Sequence, residues 1–394
     1  MLLDPLETLS QLIAIPSVNP MGLPLTGEEY LEARVTSYLD GLFRGMGVPL
    51  VRQEVEPGRE NIVARFDGPV LPDRGGQLVL LEAHQDTVPT TGMTIDPFDP
   101  VVREGRIYGR GACDIKGGLA AMLSAFARIV AERPAGRPTV VMACTINEEY
   151  GFSGAAALES LWSGPQPFLS RRPDVAVVAE PTSLDVVVAH KGVVRWECVT
   201  RGRAAHSSQP ESGDNAIYKM AKVVAALEQY AAVVGRLGSH PLCGRPTLSV
   251  GTIAGGVSVN IVPERCAVTI DRRLLPDEDP EAAYRATIAA IAEACPGIAV
   301  EHEPPFLTIG GLSDRENGPL AAALAAAAAE TGRKAAAIGV AFGTNASSTS
   351  AAGVPSVVFG PGSIAQAHTA DEWLPIDELH AASEILYRFC RRGL

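Results

Sequence analysis

Segments of strand and helix character alternate through residue 188, and that alternation constrains the fold more than any single motif does. LVLLEA at 78–83, TVVMACT at 139–145 and DVAVVA at 174–179 are short apolar runs of the kind buried on both faces of a sheet. GGLAAMLSAFARIVA at 117–131 has helical character, as do residues 28–46, which stop at Gly45 and Gly47. Asp4 and Pro5 read as the N-cap and first position of an opening helix. Alternation of this kind predicts an α/β domain, a mostly parallel sheet flanked by helices.

The texture changes after residue 188. GVVRWECVT at 192–200, residues 247–253 and CAVTID at 266–271 alternate polar with apolar, and helical segments at 215–234 and 280–294 lie among them. Strand, helix, strand, strand, helix, strand is a compact α+β unit with antiparallel pairing. The expected organisation is a first domain formed by 1–188 and 304–394, interrupted by an inserted domain at 189–303. The α/β pattern resumes with the helix former PLAAALAAAAAE at 319–330, a short strand PSVVF at 355–359 and a last helix at 376–391.

A net charge of −12 argues against nucleic acid as a partner, because phosphate binding needs clustered basic residues. The chain has no apolar run of the roughly 18 residues that a membrane span needs, and its N-terminus lacks the basic start of a signal peptide. The seven cysteines are scattered without a CxxC, which suits free structural thiols in a reducing compartment. A cytoplasmic protein is expected.

The chemistry-bearing residues fall where strands end. His84 and Asp86 close the 78–83 run, and strand alternation points both side chains the same way. Asp114 stands in GRGACDIKGG before a helix, Glu148-Glu149 close the 139–145 strand, Glu180 closes the next, and His368 follows a glycine-rich loop in GPGSIAQAH. Ligands of open α/β sheets bind beyond the carboxyl ends of strands. Two histidines and several carboxylates converging there make a mixed N/O site suited to zinc. Singly, each has an ordinary explanation: a helix cap for Asp114, a solvated turn for Glu148-Glu149, a strand exit for Glu180. Together they satisfy the count for two metals, with Asp114 as bridge, His84 paired with Glu180 and His368 with Glu149. Glu148 is left over, beside a ligand, where a hydrolase needs its general base.

HQDTVP, GRGACDIKGG, NEEYGFSG, AEPT and GPGSIAQAH, in this order, with IPSVNP near the start, resemble the dizinc amidohydrolases that include acetylornithine deacetylase, succinyl-diaminopimelate desuccinylase, aminoacylase and carboxypeptidase G. The resemblance covers essentially the whole chain. It implies a zinc-peptidase-like catalytic domain, with the insertion at 189–303 as a lid and dimerisation domain. It implies two zinc ions, with cobalt or manganese as possible substitutes, held by His84, Asp114, Glu149, Glu180 and His368. Asp86 would orient His84, and Glu148 would deprotonate the attacking water and later protonate the leaving amine. A cis peptide is implied at Asp114–Ile115. His206, in RGRAAHSSQPESGDNAI, would reach the active site of the partner subunit in a homodimer and polarise the scissile carbonyl. Asn260 and Arg273, the latter preferred over Arg272 by strand alternation, would meet the substrate carboxylate, and the backbone N–H groups around Gly362 would add donors.

The implied activity is metal-dependent hydrolysis of the amide bond of an N-acyl amino acid, with a dipeptidase or carboxypeptidase as the alternative. Asn345, in FGTNASS, stands where the family often carries an acid; if that position reads a charged substrate side chain, ornithine is put in doubt. An NAD-dependent oxidoreductase lacks its GxGxxG fingerprint, since Gly109-x-Gly111 runs on to Asp114. A non-catalytic metal-binding scaffold is argued against by the complete ligand set. His190, His240, His302 and His380 read as surface or structural.

Overall fold

The LVLLEAH run forms a strand because every position has an apolar or paired environment. Leu78–His84 is buried throughout its length, and side chains alternate between two cores. Val79, Leu81 and Ala83 enter the larger one with the helices Pro5–Ile13, Ala33–Met46, Lys116–Glu132, Gly318–Ala329 and Ile376–Cys390. Leu78 and Leu80 enter a smaller one with Leu158, Leu161 and Val354. The strand pairs in parallel with Thr139–Thr145, His84 opposite Thr145, and with Val175–Val178. Ser356–Val358 extends the parallel set from there. The four strands therefore end on one edge, and the segments bearing His84, Glu148-Glu149 and Glu180 leave from it.

The computed structural model describes all 394 residues. The chain divides into two units: Met1–Val188 with Asp314–Ile338 and Thr344–Leu394, and Ala189–Ser313 with Gly339–Gly343. The large sheet has eight strands and combines parallel with antiparallel pairs. Arg59–Phe66 pairs antiparallel with Thr139–Thr145 and with Leu50–Glu56, and Ser356–Val358 pairs antiparallel with Val186–His190. The helix-flanked α/β sheet expected from the alternation is present, and it carries antiparallel pairs beside its parallel ones. The Leu50–Phe66 hairpin turns at Glu56-Pro57-Gly58-Arg59. Proline presets the first turn residue there, and Gly58 takes φ +73°, which a side chain would disfavour.

The second unit is an antiparallel sheet with helices Ala216–Val234 and Pro280–Ala294 packed on Trp196, Cys198, Val268 and Ile270. Gly192–Arg201 pairs with Arg265–Leu274, Val300–His302 and Leu307–Ile309. Pairing of that last strand carries the unit on to Ser313. Thr247–Gly255 forms the outer edge, pairs with Arg265–Leu274, and is largely exposed.

His190 is fully buried, its Nδ1 3.0 Å from the carbonyl of Lys191. Burial pushes its imidazole down to about 4. A folded pKa below the unfolded value of about 6.5 favours the neutral ring, so its stabilisation is complete above pH 6.5 and lost as the pH falls toward 4. The loss amounts to about 3 kcal/mol over that window. Urea denaturation at several pH values should show this acid limb as a difference between the native chain and His190→Gln. Parallel curves for the two proteins would contradict it.

Candidate metal centre and active site

His84 is the last residue of its strand and its ring is buried. Nδ1 lies 3.0 Å from the backbone oxygen of Asp86 and 3.4 Å from Asp86 Oδ1, which makes it the protonated nitrogen. Nε2 is left for a metal or, without one, a second proton. It sits 3.3 Å from Asp114 Oδ1, out of line for a hydrogen bond. The other oxygen of Asp114 is 3.4 Å from His368 Nε2, which lies 3.3 Å from Glu149 Oε2. One carboxylate therefore stands between two imidazoles. Ligand atoms of His84, Asp114 and Glu149 lie within 4.8 Å of one another, and so do those of His84, Glu148 and Glu180. The Asp114–Ile115 peptide is cis.

The electrostatics are those of a site short of positive charge. Burial and neighbouring carboxylates push Glu149 up to about 7 and hold Glu148 and Glu180 well above the usual range. Hydrogen bonding to Asp114 and Glu149 raises His368 to about 10. Burial alone would depress His84, but Asp114 and Asp86 outweigh it and hold the ring well above its ordinary value. Burial likewise opposes the charge on Asp114, and the two imidazoles keep it low nonetheless. Four carboxylates thus face two imidazoles, and His84 Nε2 and Glu149 Oε1 have no hydrogen-bond partner. A divalent cation is the partner such a donor set lacks, and the residues fit one.

Asp86 does more than face His84. Its carboxylate accepts the N–H groups of Glu148 at 3.1 Å and Glu149 at 3.2 Å, and the amide of Asn19 at 2.8 Å. Asn147 stands at φ +58° at the head of that turn. Its side chain donates to Glu56 at 2.9 Å and to Ser153 at 3.0 Å, and accepts from Asn19 at 2.9 Å. Its N–H reaches Glu32, which is itself paired with buried Arg59. Sequence reasoning missed these fastenings. Asn19 and Asn147 lie inside the IPSVNP and NEEYGFSG motifs; nothing local marks Glu32 or Arg59.

Two expectations change. The Gly362 N–H donates to Glu378 Oε2 at 2.8 Å, so it is not free for a substrate. A Cβ there would come within 2.7 Å of Cys113 Sγ and 2.6 Å of Leu374, so close packing accounts for the glycine. Asn345 is buried, and its amide donates to Glu82 at 2.9 Å and to Thr145 at 3.3 Å. Its amide is engaged inside the protein, beside Glu82 and Thr145.

The remaining candidates belong to the second unit. His206 is exposed, its Nδ1 2.8 Å from Ser208 Oγ, and it bridges to Ile261 beside Asn260. The Ser207 N–H donates to the Asn260 carbonyl at 3.0 Å, so His206 and Asn260 share one loop cluster. Arg273 is partly exposed and paired with Asp271 at 2.8 Å, whereas Arg272 is buried and paired with Glu278.

The sequence profile of peptidase family M20/M25/M40 matches residues 80–392. Acetylornithine deacetylase of Myxococcus xanthus is 32% identical over 323 residues, 80% of each chain. That of Vibrio campbellii is 31% identical over 376 residues, 90% of each. An M20 family metallo-carboxypeptidase from Sulfolobus solfataricus shares the fold with a TM-score of 0.80 at 19% identity, covering 98% of both chains. Human carnosine dipeptidase 1 shares it with a TM-score of 0.74 at 15% identity, covering 98% of this chain and 95% of that one.

Proposed function

The chain belongs to peptidase family M20/M25/M40 and is a metal-dependent amide hydrolase, and we propose that it is a dizinc deacylase of N-acyl amino acids, acting as acetylornithine deacetylase does. The observation that carries this reading is the Asp114 carboxylate set between His84 and His368, with Glu148 beside His84 and Glu180. In this reading His84 and Glu180 hold one ion, Glu149 and His368 the other, and Asp114 bridges them. Bound zinc supplies Lewis-acid polarisation of the carbonyl and a more acidic water. Glu148 takes the proton of the attacking water and delivers it to the nitrogen as the C–N bond breaks. Asp86 orients His84 and fixes the turn that presents Glu148. The donation of the Asn345 amide to Glu82 supports reading that position as an internal contact, compatible with an ornithine side chain.

The second unit acts in this reading as lid and dimerisation domain. His206 of the partner subunit stabilises the oxyanion, and Arg273 with Asn260 receives the substrate carboxylate. Exposed Val257 and Val259, at 89% and 100%, beside the open edge strand, support pairing through this unit. A cytoplasmic location is supported by the seven free, buried cysteines; recovery of a disulfide-bonded chain from an exported fraction would contradict it.

A panel of N-acetyl and N-succinyl amino acids and dipeptides, assayed with added zinc or cobalt, tests the substrate class. N-acetyl amino acids, acetylornithine among them, should exceed dipeptides in kcat/KM by about tenfold or more. Faster dipeptide cleavage would make it a dipeptidase instead. Light scattering on the active protein should give a dimer, and a fully active monomer would remove the trans role of His206.

A further inference from the structure

Glu372 follows His368 by four residues, is fully buried, and stands outside the proposed ligand set. Its Oε1 accepts the N–H groups of Cys113 at 2.8 Å and Asp114 at 2.9 Å. Its Oε2 accepts the Gly111 N–H at 3.2 Å and Arg110 Nη1 at 2.7 Å. Arg110 is buried as well, and its guanidinium also donates to the carbonyls of Pro89 at 3.2 Å and Thr369 at 3.4 Å. The backbone follows the same path: the Gly109 N–H donates to the Glu372 carbonyl at 3.1 Å, and the Thr94 N–H to that of Ala370 at 2.9 Å. One ion pair therefore joins three segments. They are the stretch leaving Asp86, the turn presenting Asp114, and the loop carrying His368.

The two sides of the centre are supported differently. His84 ends a strand held in parallel register, and Glu180 lies two residues beyond the end of the neighbouring one. Sheet hydrogen bonds fix them. His368 is carried by a loop, at φ +63°, outside any strand. Its Nε2 stands 3.4 Å from Asp114, and its loop is tied to the Asp114 turn through Glu372. A carboxylate with four donors, one of them a guanidinium, has little freedom to shift.

We propose that Arg110 and Glu372 are positioning residues that set the His368–Asp114 spacing and so govern the metal ion on the His368 side more strongly than the one on the His84 side. The inference rests on the assignment of the two histidines to different ions. A purely structural ion pair would behave otherwise: losing one partner would strand a buried charge, and losing both would restore the protein.

The test is zinc titration of the metal-free full-length chain against a chromophoric chelator, with thermal melting alongside. The native chain should take two ions. Glu372→Gln should weaken one of them by about tenfold or more, the scale expected when a supporting residue behind a ligand is lost, and leave the other within about threefold. The double variant Arg110→Met with Glu372→Gln leaves no orphaned charge, so its melting temperature should recover toward the native value while the weak site stays weak. If Glu372→Gln does not fold, that double variant carries the test. In a His368→Ala background, which keeps the His84 side alone, adding Glu372→Gln should shift the remaining affinity by less than about threefold. Native affinities at both sites in the double variant, or about tenfold weakening of the remaining site in the His368→Ala background, would overturn the proposal. A native chain that fails to take two ions would overturn the metal assignment itself, and this inference with it.

Discussion

Glu148→Ala should keep both metal ions and lose turnover by about 10³-fold, within the 10²–10⁴ range of a positioned general base. The side chain is buried beside His84 and Glu180, its backbone fastened to Asp86 at 3.1 Å. Its oxygen lies close enough to those two side chains to join them as a third metal ligand, and the substitution separates that role from the base. A base removed leaves the zinc content at two per chain, KM nearly unchanged and kcat collapsed. A ligand removed takes an ion with it. Metal analysis after dialysis, beside steady-state kinetics, distinguishes them. A kcat within about tenfold of the native value would show that the proton is moved by another group.

What the sequence made legible was the chemistry that short motifs carry on strand ends. The apolar runs at 78–83, 139–145 and 174–179 announce buried strands, and a carboxylate or histidine within three residues of the end of each inherits its place from the sheet. Strand direction is another matter. An apolar run does not say which way its neighbour runs, so the antiparallel pairs stayed hidden beside the parallel ones. Leu50–Glu56, LVRQEVE, is half-exposed and carries little hydrophobic signal. The support of the site was hidden for a related reason. Glu372 finds its donors some 260 positions earlier in the chain, at Arg110 through Asp114, and Asn19 reaches Asp86 and Asn147 across 67 and 128. No periodicity marks such partners. Gly362 shows the converse error: a glycine in a rich loop reads as an open N–H donor until Glu378, on the last helix, is seen to occupy it.

Stripping the metal ions should abolish turnover and destabilise the fold, and the sign of one substitution should then reverse. Ligation at a thousandfold over Kd contributes roughly 4 kcal/mol per ion, so about 8 kcal/mol for two, and chelation should lower the melting temperature by several degrees or more. Glu180 shows why. Burial, Asp114 and Glu148 all disfavour its charge, so without a cation it weakens the protein that carries it. Metal-free Glu180→Gln should therefore be more stable than the metal-free native chain at pH 8, by about 1 kcal/mol or more. With zinc present the order inverts, because the variant has lost a ligand to the ion that stabilises the native protein. Such a crossover is expected of carboxylates gathered for a cation at the expense of the fold. Melting curves of both proteins with zinc and with excess chelator decide the matter. A variant less stable than the native chain under both conditions would mean that Glu180 serves the fold directly, and the assignment of a metal between His84 and Glu180 would fail with it.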